Sequence, residues 1–391
     1  MSELYFAPCP RGLESALASE LEALGSESIS TAEGGVGFSG PLELAYRANL
    51  ESRMASRILW QVAKEAYRTE EDLYRIAQGV DWRRHFVAER TLRVDLAATR
   101  SPLSSIEFAT LRVKDAVCDR LRADTGKRPS IDKQRPDIRV HAYLTQNEAT
   151  LYLDTSGDAL FKRGWRRDGE TAPLRENLAA GILALAGFSP ATTLLDPMCG
   201  AGTLAIEAAL AAADSAPGLH RSFGFQKLGW YDGPTWQRIR QRARDRVRPA
   251  PAVRPIFASD IDPAAAVRCR QHAAAAGVAD WIDIGEADVL LRTAPQPSGL
   301  IVANPPYGIR LGGEAALAAF YPKLGDALKQ RFVGWTACFL SGDPRLPKLI
   351  GLKPSRRTPL YNGAIECRLF RFEIVAGRPQ RGSRADSSAS Q

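Results

Sequence analysis

The residues best suited to chemistry form one short segment, Asn304-Pro305-Pro306-Tyr307, which directly follows the mostly apolar residues 299–303. Proline lacks the backbone N–H that a strand ladder needs and fixes φ, so the two prolines predict that a buried strand ends here. The side-chain carbonyl of Asn304 and the backbone carbonyl of Pro305 are two acceptors, and Tyr307 adds a flat ring. Such a set suits a planar molecule with an exocyclic amine, because accepting its hydrogens aims the nitrogen lone pair at an electrophile.

A second group of candidate residues is a glycine-containing loop, residues 196–203, between a predicted strand and a predicted helix. Glycines at such a turn let the backbone approach a ligand closely, and the helix N-terminus that follows can bind an anion. Gly200, Gly202 and Ala205 also satisfy a dinucleotide fingerprint, which leaves NAD binding open as an alternative. The loop residues expected to bind a cofactor are Asp196, Pro197, Cys199, Gly200, Gly202 and Thr203.

Acidic residues end two further segments of the predicted sheet. Asp260 and Ile261 end the second strand, and Asp288 follows the third. A carboxylate at a strand end commonly accepts hydrogen bonds from ribose hydroxyls. Asp260 lies much farther from the glycine loop than the roughly 20 residues typical of dinucleotide-binding proteins. We therefore favour a nucleoside with an amino-acid tail, and we expect Asp260, Ile261, Asp288 and Asn304 to contact it.

The elements that must position these residues alternate between strands and helices from about residue 170. This alternation predicts a parallel, doubly wound α/β sheet. The preceding residues predict two smaller α/β units, and in the second a helix near 105–123 is expected to bury Phe108, Leu111 and Leu121. The expected divisions of the chain are residues 1–65, 66–160 and 161–376, followed by a disordered tail at 377–391.

Composition narrows the classes of function. The net charge of +8 over 391 residues is compatible with nucleic-acid binding. Six dispersed cysteines and four scattered histidines match no metal-ligand spacing, so we expect no metal, no disulfides and a cytoplasmic location. The sequence contains no run of 18 apolar residues, so it predicts no membrane span. Arginine occupies every second position from 238 to 248. This pattern is compatible with a solvated surface helix and equally with a helix that contacts RNA.

Taken in order, the glycine loop, the acidic strand ends and the Asn-Pro-Pro-Tyr segment resemble the class I S-adenosylmethionine-dependent methyltransferases that methylate amines. The resemblance covers about residues 165–375. It implies a seven-stranded Rossmann-like domain in which residues 196–203 hold the methionine part of the cofactor. It further implies that Asp260 binds the ribose, that Asp288 contacts the adenine amine, and that residues 304–307 hold the target base.

The preceding region resembles a ferredoxin-like unit followed by a THUMP domain, a module that binds structured RNA. Together with the segments 151–157, 160–166 and 360–370, it makes the chain similar to the RlmL type of methyltransferases. These enzymes methylate the N2 amine of a guanine in bacterial 23S rRNA. The resemblance implies S-adenosylmethionine as cofactor and large-subunit rRNA as partner. The basic residues expected to contact RNA are Arg163, Arg166, Lys127 and Arg128.

Several alternatives stay open on the residues alone. The same pair of acceptors suits the N6 amine of adenine in DNA or RNA, and THUMP modules also serve tRNA-guanine methyltransferases. An RNA-binding assembly factor with a vestigial site is a candidate from another class, although the intact glycine loop speaks against it. Some relatives carry a second methyltransferase half, and we expect no second activity from the residues present here.

Overall fold

We describe the protein from a computed structural model that defines residues 2–166, 174–305 and 314–376, with side chains from 317 onward in the last range. The described residues form two seven-stranded β-sheets in succession along the chain. They confirm the predicted fold class, an α+β region followed by a seven-stranded Rossmann-like domain. The tail predicted to be disordered, residues 377–391, lies outside the described residues.

The first sheet is formed by residues 3–154. Its strands are β1 (Glu3–Pro8), β2 (Ser28–Ala32), β3 (Gly35–Gly40), β4 (Leu59–Ala66), β5 (Leu92–Ala98), β6 (Ile138–Leu144) and β7 (Glu148–Asp154). Its helices are α1 (Glu14–Ala23), α2 (Leu42–Glu51), α3 (Glu70–Gly79) and α4 (Ile106–Thr125). The strand order is β2-β3-β1-β4-β7-β6-β5, and of these neighbours only β5 and β6 are parallel.

Burial alternates along this sheet, as expected when one face packs on helices and the other is open. In β1, Tyr5 and Ala7 are buried, whereas Leu4 is exposed and Phe6 is half-buried. β4 pairs with both β1 and β7, so one continuous sheet crosses the predicted boundary after residue 65. The division of this region into two domains stays a prediction.

One predicted helix face is wrong. Phe108 and Leu111 of α4 were expected to face inward, but they are 51% and 43% exposed. The expected burial of Leu121 is confirmed. Helix α4 instead contacts α3 and β5 through a stripe of smaller residues, which allows close approach and leaves the two large side chains at its flank. The buried stripe consists of Ala109, Val113, Ala116, Val117, Cys118 and Leu121.

The second sheet is formed by residues 194–373. Its strands are β8 (Leu194–Asp196), β9 (Ile256–Asp260), β10 (Ile282–Glu286), β11 (Leu300–Ala303), β12 (Thr336–Ser341), β13 (Arg356–Asn362) and β14 (Ile365–Glu373). The helices of this region are α5 (Glu176–Ala186), α6 (Thr203–Ala212), α7 (Gly233–Asp245), α8 (Pro263–Ala275), α9 (Glu314–Arg331) and α10 (Leu346–Ile350). The strand order is β10-β9-β8-β11-β12-β14-β13.

Strands β8 to β12 are parallel, so their carboxyl ends meet at one edge of the sheet. All four residues of β11 are buried, as is typical of a central strand covered on both faces. The order of the strands reverses between β8 and β11, which makes this edge the topological switch point where α/β proteins bind ligands. Asp196 ends β8 and Asn304 follows β11, so both lie at this point.

Candidate active site

The glycine loop, residues 196–203, turns from β8 into α6. Gly200 and Gly202 have φ angles of +52° and +85°, a region that glycine tolerates best. A Cβ atom on Gly202 would lie 2.4 Å from Cys269 Sγ on α8, so a larger residue there would displace the loop or the helix. The backbone N–H of Gly200 donates to Asp260 Oδ2 at 2.8 Å, which ties the loop to the end of β9.

The three predicted carboxylates lie at or after neighbouring strand ends. Asp196 and Asp260 are the last residues of β8 and β9, and Asp288 follows β10. Asp260 accepts from the backbone N–H of Gly200, and Asp288 accepts from Leu290 N–H at 2.9 Å. Within the described ranges, no lysine or arginine forms an ion pair with any of the three. Their side-chain oxygens are therefore available to a ligand.

These strand ends surround a cavity of about 580 Å³, a volume typical of sites for small molecules. Gly202 does not line this cavity, because it packs against Cys269 of α8 behind the loop. The other predicted cofactor residues all line the cavity: Asp196, Pro197, Cys199, Gly200, Thr203, Asp260, Ile261, Asp288 and Asn304. The structure thus brings together residues from four separate strand ends, although their individual roles stay predictions.

Asn304 lies beside the cavity at the end of β11. Its Oδ1 atom is buried, and no described donor bonds it. A buried acceptor without a partner costs about 1–3 kcal/mol, a cost that a donating ligand would remove. Pro305 is buried next to it, whereas the predicted base-holding residues Pro306 and Tyr307 lie outside the described residues.

Asp196 is the most deeply buried of the three carboxylates, with 1% of its surface exposed. Burial raises the pKa of Asp196 to about 8; a hydrogen bond from Met198 N–H at 3.4 Å opposes this rise, and the negative charge of Asp260 adds to it. The carboxyl group therefore keeps its proton in neutral solution. A cation bound nearby would favour the ionised form.

Cys199 is the one thiol that lines this cavity among the described residues. A hydrogen bond with Cys269 raises the pKa of the Cys199 thiol, and burial raises it further. Because the thiolate and not the thiol is the nucleophile, Cys199 is poorly suited to covalent catalysis. Its place against α8 favours a packing role in the loop.

The chemistry of these residues fits the S-adenosylmethionine expected from the sequence. Its hydroxyl and amino groups are hydrogen-bond donors, and the carboxylates at the strand ends can accept from them. Ile261, which is 68% exposed and lines the cavity, offers an apolar surface to an aromatic base. The first turn of α6 begins at Gly202 without a side-chain cap, so its N–H groups can face a carboxylate.

A buried network beside the cavity corrects the prediction that Arg166 contacts RNA. Arg166 Nε donates to Glu176 Oε1 at 2.6 Å, and its Nη2 donates to the hydroxyl of Thr203 at the start of α6. The guanidinium also lies over the ring of Trp165, 4.6 Å from its centroid. Only 11% of the Arg166 side chain is exposed, so we assign it to holding the first turn of α6.

Arg163 is also corrected, because it is buried at the junction of the two sheets. Its Nε lies 3.2 Å from Glu207 Oε1 of α6, and its Nη2 donates to the backbone carbonyl of Arg53 at 2.6 Å. A guanidinium held in this way cannot reach a phosphate. Lys127 and Arg128 are exposed, and their predicted RNA contacts stay predictions.

Several residues of the cavity were missed by the sequence analysis. Phe320 lines it from α9. Nothing in the spacing of Phe320 along the sequence indicates a ligand. Val289 and Leu290 also line the cavity, and their position directly after Asp288 could have suggested an apolar wall beside an acidic contact.

Neither a membrane-spanning helix nor a metal-binding cluster occurs among the described residues. None of the described helices is both long and apolar enough to cross a membrane. Histidine, cysteine and acidic side chains form no group of three that could hold a metal ion within residues 2–166, 174–305 and 314–376.

The chain matches models of three protein families in sequence order. The RlmL ferredoxin-like domain matches residues 5–59, the THUMP domain matches residues 67–154, and the RMKL-like methyltransferase domain matches residues 163–371. The third match alone covers more than half of the chain and includes every strand of the second sheet up to Arg371 in β14.

Curated relatives match over nearly the whole chain. It is 42% identical over 386 residues to a ribosomal RNA large subunit methyltransferase K/L of Syntrophotalea carbinolica, covering 96% of this chain and 54% of that protein. The protein of the same name from Methylococcus capsulatus is also 42% identical, with 97% and 52% covered. The chain therefore spans about half the length of the curated relatives it matches.

Solved structures share the complete architecture. SMU.472, complexed with SAH, has a TM-score of 0.86 and 27% identity, with 96% of this chain and 99% of that chain covered. A protein from Listeria monocytogenes, described as a predicted N6-adenine-specific DNA methylase, has a TM-score of 0.86 and 28% identity. In that comparison, 95% of this chain and 96% of the other are covered.

Proposed function

The chain belongs to the RMKL-like methyltransferase family, and from this membership we propose that it methylates the N2 amine of a guanine in 23S rRNA. The resemblance that the sequence motifs indicated is confirmed, and so is S-adenosylmethionine as the cofactor. Ribosomal RNA is proposed as the substrate because of the name shared by the two curated relatives. The N-terminal THUMP domain supports an RNA substrate independently.

The observation that carries the proposal is the buried Oδ1 atom of Asn304 beside the cavity, for which the described residues provide no donor. An exocyclic amine on an aromatic ring is a weak nucleophile because its lone pair is delocalised. Asn304 Oδ1 and the Pro305 carbonyl accept its hydrogens, which holds the nitrogen in place and directs its lone pair into the cavity.

S-adenosylmethionine supplies a methyl group on an electrophilic sulfonium. The other residues of the cavity hold and orient it. Asp260 at the end of β9 would accept from the ribose hydroxyls, Asp288 would accept from the adenine amine, and Ile261 would pack on the base. Asp196 ionises when a cation is bound, because the positive charge offsets the cost of a buried carboxylate.

A guanine that is stacked or paired must leave its helix before its N2 amine can reach Asn304. Extrusion of a base costs roughly a few kcal/mol, which binding elsewhere on the RNA must offset. The N-terminal region supplies a second surface for this purpose. Phosphate contacts there give affinity and register, while the cavity selects the base.

Mass spectrometry of the methylated nucleoside tests the proposal. The protein is incubated with S-adenosylmethionine and unmodified large-subunit rRNA, and the RNA is then digested to nucleosides. We expect one N2-methylguanosine per rRNA, and none with the Asn304→Ala variant. An rRNA without any new methylated nucleoside contradicts the proposal, and a product found only in tRNA identifies the tRNA-guanine alternative.

Methylation of adenine N6 is the second candidate. The acceptor pair of Asn304 and Pro305 fits that amine equally well, and the Listeria protein is described as an N6-adenine-specific methylase. The same digest separates the two, because N6-methyladenosine and N2-methylguanosine differ in mass and base fragment. A preference for DNA over RNA in competition would favour the adenine candidate further.

A further inference from the structure

Helix α7 and the residues after it form the most basic segment of the described chain. Six arginines lie between residues 238 and 248, and Asp245 is the single carboxylate among them. Arginines four residues apart on a helix repel each other and destabilise it. Arg238 and Arg242 are such a pair, and so are Arg240 and Arg244.

The structure divides these six arginines into two groups. Arg246 pairs with Glu51 of α2 at 2.7 Å, and Arg240 is half-buried and donates to the carbonyl of Leu219 at 3.0 Å. The other four are exposed, and none has a carboxylate within ion-pair distance in the part of the chain that the structure describes. These four, which we call the arginine face, are Arg238, Arg242, Arg244 and Arg248.

The basic residues of the first sheet region differ in this respect. Lys127 Nζ lies 2.6 Å from Glu89 Oε1, and the guanidinium of Arg128 contacts both Asp119 at 2.9 Å and Asp115 at 3.2 Å. These neighbouring carboxylates largely neutralise the charges of Lys127 and Arg128. A polyanion would have to displace these carboxylates, whereas the arginine face is free to bind it.

Helix α7 holds three members of the arginine face, Arg238, Arg242 and Arg244, on a rigid support. Trp236, Ile239 and Ala243 are buried, and the ring of Trp236 lies 5.1 Å from that of Phe225 in an aromatic cluster. The first turn is capped by Asp232, whose side chain accepts from Thr235 N–H at 3.3 Å. A fixed backbone lowers the entropy lost when the arginines bind.

The composition of the exposed side indicates which partner fits. Between the arginines it presents Gln237, Gln241 and Asp245, and Val247, 41% exposed, is a single apolar side chain, so this side lacks the apolar core of a protein interface and the apolar stripe of a membrane helix. The cations are all arginine, whose planar fork matches phosphate oxygens. We propose that the arginine face binds the phosphate backbone of the substrate RNA, an inference that rests on the proposed function.

The location indicates which part of the RNA is bound. The backbone N–H of Arg248 donates to the carbonyl of Ala213, directly after α6, at 2.8 Å. Thr203, at the other end of α6, lines the cavity. Ten helical residues span about 15 Å, so the arginine face contacts RNA at a distance from the target base.

The test compares two double variants that each remove two positive charges. R238Q/R242Q removes half of the arginine face, and K127Q/R128Q removes the two neutralised cations. RNA affinity is measured by fluorescence anisotropy at several salt concentrations, with a large-subunit rRNA fragment that contains the whole methylated domain. For R238Q/R242Q we expect affinity to fall roughly tenfold and the salt slope to decrease by about 1.5. For K127Q/R128Q both changes should be smaller, because the carboxylates of Glu89, Asp115 and Asp119 compete with RNA for these two cations.

An unchanged salt slope for R238Q/R242Q overturns the inference, and so does a larger loss for K127Q/R128Q. Calorimetry of S-adenosylmethionine binding controls for folding, and both variants should match wild type. Loss of a protein partner from R238Q/R242Q with normal RNA binding would assign the face to a protein and overturn the inference as well. If wild type binds RNA through this face but methylates no rRNA, the proposed function fails and the inference about phosphate binding stands.

Discussion

Two buried aspartates end strands in the two sheets, and their surroundings differ. Asp154 ends β7 in the first sheet, next to the guanidinium of Arg57 and 3.5 Å from His141 Nε2. Burial by itself raises the pKa of Asp154, but His141 and the charge of Arg57 bring it below the ordinary value. Asp196 ends β8 in the second sheet without a cation among the described residues, and its pKa rises to about 8.

This difference distinguishes acidic residues that stabilise the fold from acidic residues that are available to bind a ligand. A buried carboxylate with its own cation and backbone donors is complete within the fold. A buried carboxyl group without a cation destabilises the folded state when it ionises, and a fold tolerates this mainly at functional sites. By this distinction, Asp154 stabilises the first sheet, and Asp196 is suited to bind a positively charged group in the cavity.

Replacement of Asp154 should give the larger effect on stability. Asp154→Asn leaves Arg57 without its ionic partner and weakens the acceptor for Ser156 N–H, now bonded at 2.8 Å. Breaking a buried ion pair from one side costs about 3–5 kcal/mol. Urea unfolding at pH 7 should therefore show a loss of that order. An unchanged free energy of unfolding would contradict the stabilising role of Asp154.

Replacement of Asp196 should have the opposite sign. A pKa raised in the folded state gives stability that is complete below the unfolded pKa near 4 and is lost as pH rises to about 8. Asp196→Asn removes this loss, so the unliganded variant should be more stable by roughly 2–5 kcal/mol at pH 8 and similar to wild type at pH 4. Thermal unfolding between pH 4 and pH 9 checks this.

Parallel melting curves for the two proteins across that range would contradict the assigned pKa of Asp196. The same variant should bind S-adenosylmethionine more weakly, because it cannot ionise beside a cation. Higher stability together with unchanged cofactor affinity would mean that Asp196 destabilises the fold without contributing to cofactor binding.

The second sheet could be predicted well because its pattern is local. Strands β8, β9 and β11 are short, mostly apolar runs, and a functional residue ends or directly follows each one, as Asp260 follows residues 256–259. Parallel strands then bring these ends to one edge without further information. The cavity lined by Asp196, Asp260, Asp288 and Asn304 was predictable for this reason.

The errors concern residues whose surroundings depend on distant contacts. Arg163 looked like a surface cation, but its partner Glu207 lies 44 residues away and cannot be inferred from local spacing. The exposure of Phe108 arises because a stripe of smaller residues on α4 packs against α3 and β5 instead. Periodicity predicts that a helix has a buried face, but shape decides which of two adjacent faces it is.

The central claim is that Asn304 positions the target amine and does not hold the cofactor. Its most direct test is a single-turnover methyl-transfer rate for Asn304→Ala, combined with calorimetry of S-adenosylmethionine binding. The exposed Asn147 provides a matched control, Asn147→Ala. We predict that Asn304→Ala slows transfer by roughly 100- to 1,000-fold, with cofactor affinity within a few-fold of wild type, and that the control changes neither. An equal loss of rate and cofactor affinity, or an unchanged rate, would contradict the account.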